Sequence, residues 1–147
     1  MYRIVSKEML TPTICRMKVE ASRLATAALP GQFLIVRADE QGERIPLTIS
    51  DFDKEAGTVT IVTQNIGAST SEICSYEEGD SFSDVVGPLG IPSDFTEMSD
   101  EELAGKRYVF IAGGVGTAPV YPQVKWLHER GASVDVIIGA KTKELVI

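Results

Sequence analysis

The sequence predicts a small antiparallel β domain followed by the beginning of an α/β domain. Three observations predict this order. Apolar residues recur mostly with period two up to about residue 90, a polar acidic segment follows, and two continuous apolar runs then flank one helical pattern. A chain of 147 residues can bury a sizeable core. Its 44% hydrophobic and 24% charged residues are typical of a globular protein.

The first half contains short strands separated by turn signals. Alternation of apolar and polar residues is clear in "TICRMKVEA" and "GTVTIVTQN", while "PGQFLIVRA" begins at a Pro-Gly turn and "RIPLTIS" and "DSFSDVV" are two further runs. This spacing favours a small antiparallel barrel or a sandwich. In "GASTSEICSY" a Ser-Thr pair precedes Glu72, which is an N-cap signature and predicts a short helix with Ile73 facing inward.

An acidic connector separates the two halves. In "IPSDFTEMSDEELAGK" we expect Ser99 to cap the short stretch DEEL, and we interpret the rest as a solvated linker. The predicted organisation is therefore a barrel domain over residues 1–92, a linker over 93–106 and an α/β segment over 107–147.

The second half contains one βαβ unit, predicted over residues 107–139. "RYVFIAGG" and "SVDVIIGA" are apolar runs typical of strands in a parallel sheet. Between them Val120, Val124 and Leu127 follow a helical period, and Gly131 is a C-terminal stop signal. One such unit leaves a sheet edge and an apolar face open. We therefore expect the α/β domain to be incomplete and the chain to be a piece of a longer protein.

Composition excludes several classes of function. A net charge of −7 disfavours a nucleic-acid or anionic-membrane surface, and no apolar run is long enough to span a bilayer. The N-terminus lacks the apolar region of a signal peptide, so a cytoplasmic location is the default. Cys15 and Cys74 lie far apart with no CxxC spacing, and we expect two small buried hydrophobes and no metal site.

The stretch "GGVGTAP" is the strongest chemical signal in the second half. It joins a predicted strand to a helix, where backbone N–H groups and the helix dipole favour an anion and glycine lets a phosphate approach the backbone. Its spacing departs from G-x-G-x-x-G, and no P-loop lysine follows Gly116. A purely structural turn is the alternative.

Ordered blocks along the whole chain carry a family resemblance. They are "PGQF", "RIPLTI", "IGAST", "GPLG", "GGVGTAP" and "GAKTKEL". In this order they resemble the ferredoxin–NADP⁺ reductase superfamily. Within it the sequence looks most like the small flavin-carrying subunits of bacterial NAD(P)H:ferredoxin oxidoreductases and the electron-transfer subunits of dihydroorotate dehydrogenases. The resemblance implies a six-stranded antiparallel Greek-key barrel that carries FAD, followed by an NAD(P)-binding α/β domain.

The resemblance also implies a flavin site on the barrel. Arg44 would contact the pyrophosphate, Pro46 and Leu47 would line the isoalloxazine, and the Thr48 hydroxyl would lie near flavin N5, the reacting atom. The spacing from Arg44 to Thr48 is one longer than in the commonest form of this block. A solvated turn residue is the alternative for Arg44.

A second phosphate cradle is implied at "IGAST". Gly67, Ser69 and Thr70 would supply N–H and hydroxyl donors at the start of the short helix. The alternative for Ser69 is a plain N-cap. The block "GPLG" would mark the end of the barrel, and its alternative is a tight turn.

In the second domain the resemblance assigns NAD(P)H to Gly113, Gly114, Gly116 and Thr117. It implies hydride transfer to FAD and single-electron transfer to a ferredoxin-type iron–sulfur acceptor, in a complex with a larger catalytic subunit. A [2Fe-2S] centre is expected only beyond Ile147, and we expect the fragment not to complete turnover. The competing hypothesis is a non-catalytic barrel that binds a partner through an exposed edge.

Overall fold

A computed structural model describes all residues from Met1 to Ile147. The first part of the chain forms seven strand segments, all paired antiparallel in the order β6-β1-β2-β5-β4-β3-β7. Their bounds are β1 (Tyr2–Thr11), β2 (Ile14–Glu20), β3 (Phe33–Arg37), β4 (Arg44–Asp53), β5 (Thr58–Gln64), β6 (Ser81–Phe82) and β7 (Asp84–Leu89).

One bent strand brings the two edges of this sheet together. β6 pairs with β1 and β7 pairs with β3, and only Ser83 separates the two segments. The Ser83 hydroxyl donates to the carbonyl oxygens of Arg37 and Asp39, at 3.1 and 2.9 Å, which fixes the bend. With β6 and β7 counted as one bent strand, the prediction of a six-stranded antiparallel barrel is confirmed.

The barrel core follows the alternation seen in the sequence. In β2 the side chains of Cys15, Met17 and Val19 are buried, while the charged residues between them are exposed. The core holds seventeen buried residues from the strands, from two short helices, α1 (Ser22–Ala27) and α2 (Ala68–Ser75), and from the residues next to them. Helix α2 was predicted, and Ile73 is its buried residue. Helix α1 was not predicted, because its N-cap position, Ala21, gives no capping signal.

The "PGQF" block ties the barrel to the connector. Gly31 has φ of 91°, and a Cβ there would lie 2.6 Å from Ser93 Oγ, so the close approach of the chain at residue 93 requires glycine. The buried Gln32 side chain accepts from Leu29 N and donates to Gly90 O. These contacts join the start of β3 to the end of β7.

The "GPLG" block differs from a tight turn. Its first three residues are the last three residues of β7, and only Gly90 leaves the strand, with φ of 82°. The block therefore marks the end of the barrel, as expected. The turn lies at its last residue because the earlier positions extend the pairing with β3.

The acidic connector is packed and only partly solvated. Ser99 caps helix α3 (Asp100–Ala104) and Glu102 completes the capping box, as predicted for this turn. Leu103, however, is completely buried, in a second core with Leu127 and Ala132. The interpretation of residues 93–106 as solvated was therefore wrong for its apolar side chains, which pack because the βαβ unit offers them an apolar face.

The βαβ unit is formed as predicted. Strands β8 (Arg107–Gly113) and β9 (Ser133–Gly139) pair in parallel, and helix α4 (Thr117–Glu129) connects them. Gly131, with φ of 79°, follows the helix as expected. Val109, Ile111 and Ile137 alternate with residues that face the helix, and they are 57%, 77% and 57% exposed. The apolar sheet face expected to be open is open in this structure.

Helix α4 also packs on the barrel. It lies against β4, where Pro122 is buried and Lys125 pairs with Asp51. Ser93 Oγ donates to Gln123 Oε1 at 3.1 Å and connects the linker to the same helix. No helix of the chain is long and apolar enough to cross a membrane.

Candidate functional site

Strands β4 and β5 separate halfway along their length. Residues 49–53 of β4 pair with residues 58–61 of β5, from Asp53 opposite Thr58 to Ile49 opposite Ile61. Beyond that point the first part of β4, residues 44–48, pairs only with β3, and the end of β5 pairs only with β2. Pro46, which has no N–H to donate, lies in this half of β4. The separation leaves a free strand edge on the barrel surface.

The outer face of β4 carries the predicted flavin residues. Arg44 and Pro46 are exposed and Thr48 is half-buried, whereas Ile45 and Leu47 pack against the barrel core. Residues four apart on a strand share a face, so Arg44 and Thr48 point the same way, about 14 Å apart along the strand. The Leu47 side chain points inward, so only the Leu47 backbone could line an isoalloxazine on the outer face.

Arg44 is paired with a carboxylate of β7, across the intervening strand β3. Its Nη1 lies 3.1 Å from Asp84 Oδ2, and the two side chains are 53% and 30% exposed. Arg37 stands beside Arg44 in the β3–β4 register. The start of β4 therefore presents two guanidinium groups with one close acidic partner, an arrangement suited to an anionic ligand.

Helix α2 begins next to the separated strands. Gly67 is its N-cap residue, and Thr70 Oγ1 accepts from the backbone N–H groups of Ile66 and Gly67, both at 3.0 Å. A Cβ at Gly67 would meet no atom within 4 Å, so space in front of the backbone is open. The N–H groups of the first turn have no acceptor within the helix and are available to an anion.

Ser69 lies inside the first turn of α2, and its hydroxyl donates to Glu43 at the start of β4. The N-cap alternative for Ser69 is therefore wrong, since Gly67 holds that position and Thr70 supplies the capping oxygen. The Ser69–Glu43 contact shows that the structure brings the β4 start and the α2 N-terminus together. Arg44 follows Glu43 in the chain, so the first residue of β4 lies close to this helix start.

The glycine turn lies beside β5, and the helix that follows it packs against β4. Gly113 ends β8, residues Gly114–Gly116 form a 3₁₀ turn, and α4 begins at Thr117. Gly114 has φ of 53°, a conformation that other residues rarely adopt, and a Cβ at Gly116 would meet nothing within 4 Å. The predicted strand, turn and helix are all present, and the backbone of the turn is open to solvent.

Two buried hydroxyl groups lie between this turn and the barrel. Ser50 Oγ and Thr117 Oγ1 are buried and have no hydrogen-bond partner in the protein. Both residues line a cleft of about 430 Å³, which also receives Arg16 and Lys18 from β2. A buried hydroxyl without a partner is costly, so these groups favour a polar ligand in the cleft. Sequence reasoning missed Ser50, although it follows Thr48 on the same face of β4.

An ion pair holds α4 beside this cleft. Lys125 Nζ lies 2.8 Å from Asp51 Oδ1. The hydrogen bond to Asp51 raises the pKa of Lys125, while partial burial acts in the opposite direction. Asp51 follows Ser50 along β4, so this contact fixes the helix that carries Thr117 relative to the barrel surface.

The predicted residues thus form two groups. The first group lies at the start of β4 and the second at the glycine turn, and Ser50 stands between the second group and Thr48. The first group comprises Arg44, Pro46, Thr48, Gly67, Ser69 and Thr70, and the second comprises Gly113, Gly114, Gly116 and Thr117.

Solved structures of known proteins share this fold. No protein-family model matches the chain. A solved structure of an NADH-dependent reduced ferredoxin–NADP oxidoreductase superposes with a TM-score of 0.89 at 36% identity, over 100% of this chain and 51% of that one. Phthalate dioxygenase reductase has the same fold, with a TM-score of 0.76 at 21% identity over 98% of this chain and 44% of that one. The fold is that of the ferredoxin–NADP⁺ reductase superfamily.

Curated relatives narrow the class further. The chain is 38% identical over 144 residues to a homologue of the dihydroorotate dehydrogenase B (NAD⁺) electron-transfer subunit from Thermotoga maritima, covering 98% of this chain and 49% of that protein. It is 57% identical over 147 residues to an uncharacterised protein in the adh 3′ region of Clostridium beijerinckii, covering all of this chain and 50% of that protein. The chain is thus a homologue of dihydroorotate dehydrogenase B electron-transfer subunits. It spans about half the length of these relatives.

Proposed function

We propose that this chain binds FAD on the outer face of β4 and takes part in electron transfer between NAD(P)H and an iron–sulfur acceptor. The observation that carries the proposal is the separation of β4 from β5 near the N-terminus of α2, on a face of β4 where Arg44 and Pro46 are exposed and Thr48 is half-buried. A cationic side chain, a line of outward side chains and an open helix N-terminus are the parts that a flavin dinucleotide needs. The names and fold of the relatives support the same reading.

Each residue has a distinct role in this proposal. The Arg44 guanidinium and the first-turn N–H groups of α2 would hold the pyrophosphate from two sides. Pro46 and Thr48 would face the ring system, and the Thr48 hydroxyl would lie near flavin N5. When bound, FAD supplies the redox chemistry, since it accepts a hydride and releases electrons one at a time. The protein supplies position and charge.

Two carboxylates control access to the phosphate region. Asp84 contacts Arg44, and Glu43 accepts a hydrogen bond from Ser69. Negative charge next to a pyrophosphate is unfavourable, so both carboxylates must move aside or lose these contacts when the ligand binds. In this proposal Arg44 gives up its ion pair with Asp84 and forms one with the phosphate.

The glycine turn would receive NAD(P)H. Its backbone is open at Gly114 and Gly116, the thirteen-residue helix α4 points its N-terminus at the turn, and no acidic residue lies in the first turn of that helix. Thr117 and Ser50 place unpartnered hydroxyl groups between this turn and the flavin residues. This arrangement supports a nicotinamide reaching the flavin along β4.

The proposed setting is a multi-subunit oxidoreductase. Because the curated relatives are named electron-transfer subunits, we propose a larger catalytic subunit as one partner and a ferredoxin-type centre as the electron acceptor. The proposed division of the chain is a flavin barrel over residues 1–92, a connector over 93–106 and an NAD(P)-binding segment over 107–147.

FAD titration of the purified chain tests the proposal. Flavin fluorescence is recorded for the wild type, for Arg44→Ala and for Thr48→Ala, with Arg23→Ala as the matched control because Arg23 is an exposed arginine on α1. We expect saturable binding that Arg44→Ala weakens at least tenfold and Arg23→Ala leaves unchanged. A folded wild-type chain that takes up no FAD would instead support the non-catalytic interaction module.

A further inference from the structure

The two cysteines of the chain meet at the base of α2. Cys15 Sγ donates to Cys74 Sγ over 3.2 Å, and Cys74 Sγ lies 3.7 Å from the carbonyl oxygen of Thr63. Both thiols are free. Their separation along the sequence gave no reason to expect this contact, which exists because α2 packs against β5, the neighbour of β2 in the sheet.

The two sulfur atoms belong to elements that are held in different ways. Cys15 is fully buried at the second position of β2, where it pairs with Met9 of β1 on one side and Thr63 of β5 on the other. Cys74 is half-buried in the last turn of the eight-residue helix α2. The strand is fixed by two neighbours, while the helix is anchored chiefly by Ile73. A change in the distance between the sulfur atoms would therefore move the helix.

We propose that Cys15 and Cys74 form a reversible disulfide that shifts α2 and thereby lowers the affinity of the phosphate cradle for FAD. The expected effect on FAD affinity rests on the proposed function, because it assumes that Gly67, Ser69 and Thr70 at the N-terminus of the same helix bind FAD. The disulfide itself rests only on the geometry of the two thiols.

The bond requires a small displacement. A disulfide has a sulfur–sulfur distance of about 2.05 Å, so the atoms must approach by about 1.1 Å from their present 3.2 Å. Because β2 is held on both sides, the movement falls on the C-terminal turn of α2. A rigid helix of eight residues, about 12 Å long, passes such a movement to its N-terminus.

The exchange reaction proceeds in two steps with a small disulfide such as oxidised glutathione. The Cys74 thiolate, the more accessible of the two, attacks one glutathione sulfur and releases one glutathione thiolate. The Cys15 thiolate then attacks Cys74 Sγ, releases the second glutathione and closes the protein disulfide. Two protein thiols and one glutathione disulfide yield one protein disulfide and two glutathione molecules.

The second step is the slow one. Burial, together with the hydrogen bond to Cys74, raises the pKa of Cys15 to about 12, and Lys7 on β1 acts weakly in the opposite direction. Little Cys15 thiolate exists at neutral pH, which protects the dithiol form under brief exposure to oxidants. A sustained change in the thiol–disulfide balance is needed to convert the pair.

Linkage makes the coupling reciprocal. If the disulfide weakens FAD binding by a given factor, bound FAD disfavours the disulfide by the same factor. For this two-electron couple a tenfold change in affinity corresponds to about 30 mV in the reduction potential of the pair. Bound flavin would keep the thiols reduced, and loss of flavin would favour oxidation.

The test equilibrates the 147-residue chain with glutathione buffers of graded ratio, blocks the remaining thiols and maps the Cys15–Cys74 bond by peptide mass. FAD dissociation constants are then measured for the reduced and oxidised forms, and hydrogen exchange is recorded for the α2 amides. We expect the bond to form, FAD affinity to fall at least tenfold and exchange in α2 to change. Cys74→Ser and Cys74→Ala are the controls, and oxidation should not alter their FAD affinity.

Two results would overturn the proposal. The first is a folded chain that forms no Cys15–Cys74 bond in buffers that oxidise the guanidinium-unfolded chain. The second is an oxidised chain with the same FAD affinity as the reduced one. A chain that forms the bond but binds no FAD in either state would contradict the proposed function and the coupling, while mass analysis would still establish the disulfide.

Discussion

Lys125 Nζ lies 2.8 Å from Asp51 Oδ1 and joins helix α4 to barrel strand β4. The pair is partly exposed, so it contributes at most about 1 kcal/mol to stability. Its position matters more than its energy. Asp51 adjoins Ser50, and Lys125 belongs to the helix that begins at Thr117, so the ion pair sets how the glycine turn faces the barrel.

Asp51→Asn should therefore loosen α4 from the barrel with little effect on overall stability. The amide keeps the shape of the side chain but removes the charge that pairs with Lys125. We expect faster hydrogen exchange in α4 and a shift of the melting temperature of only a few degrees. Glu55→Gln, an exposed change nearby, is the control. Equal exchange in the two variants would show that the ion pair does not hold the helix.

Glu43→Gln should strengthen FAD binding. The change removes a negative charge that accepts a hydrogen bond from Ser69 at the α2 N-terminus, where the pyrophosphate is proposed to bind. Relief of about 1 kcal/mol of repulsion corresponds to roughly fivefold tighter binding. Glu40→Gln makes the same charge change in an exposed loop and serves as the control. A weaker complex of the Glu43 variant would contradict the assigned site.

Gly67→Ala should lower FAD affinity while changing the free energy of unfolding only slightly. The backbone there is extended, with φ of −164°, and the new Cβ meets no atom within 4 Å, so only the lower N-cap preference of alanine should act, and the free energy of unfolding should fall by about 1 kcal/mol or less. The methyl group would stand where the phosphate is proposed to approach, and FAD affinity should fall. Gly87→Ala is the opposite case, because its Cβ would lie 2.8 Å from Leu24 and it should destabilise the fold. Unchanged FAD binding by Gly67→Ala would argue against the cradle.

Leu103→Ala should destabilise the second core. Leu103 is fully buried against Leu127 and Ala132, and the loss of a buried leucine typically costs about 2–5 kcal/mol. Thermal unfolding followed by circular dichroism measures the effect. Glu101→Ala, an exposed change in the same short helix, should stay within about 0.5 kcal/mol of the wild type. Similar melting curves for both variants would show that the connector does not contribute to this core.

Alkaline pH should weaken the barrel through Cys15. Its pKa is raised from 9.0 to about 12 in the folded chain, so the unfolded chain loses the proton first as pH rises. The contribution of the neutral Cys15 thiol to the free energy of unfolding is fully present below pH 9 and is lost progressively between pH 9 and 12. We expect the free energy of unfolding to fall by about 1 kcal/mol from pH 9 to 10, and Cys15→Ala to reduce this slope. Identical slopes would contradict the burial of the thiol.

Local patterns predicted much of the fold because they need only neighbouring residues. The alternation of Cys15, Met17 and Val19 defined β2, and the period of α4 and the glycine at 131 defined the βαβ unit. Helix α1 was not predicted, because its N-cap residue, Ala21, has no side chain that could cap a helix. The solvated interpretation of the connector failed for Leu103, since a single leucine among acidic residues carries no sign of the core that receives it.

The same distinction between local pattern and tertiary packing applies to the candidate site. By itself the sequence determined the strands, the two glycine-rich helix starts and the outward line of Arg44, Pro46 and Thr48, because the period of a strand or helix fixes which residues share a face. Only the tertiary structure decided that β4 separates from β5, that Glu43 contacts Ser69 and Asp84 contacts Arg44, that Ser50 and Thr117 line one cleft, and that Cys15 touches Cys74. Those relationships join residues far apart in the chain, and their distances depend on how whole elements pack.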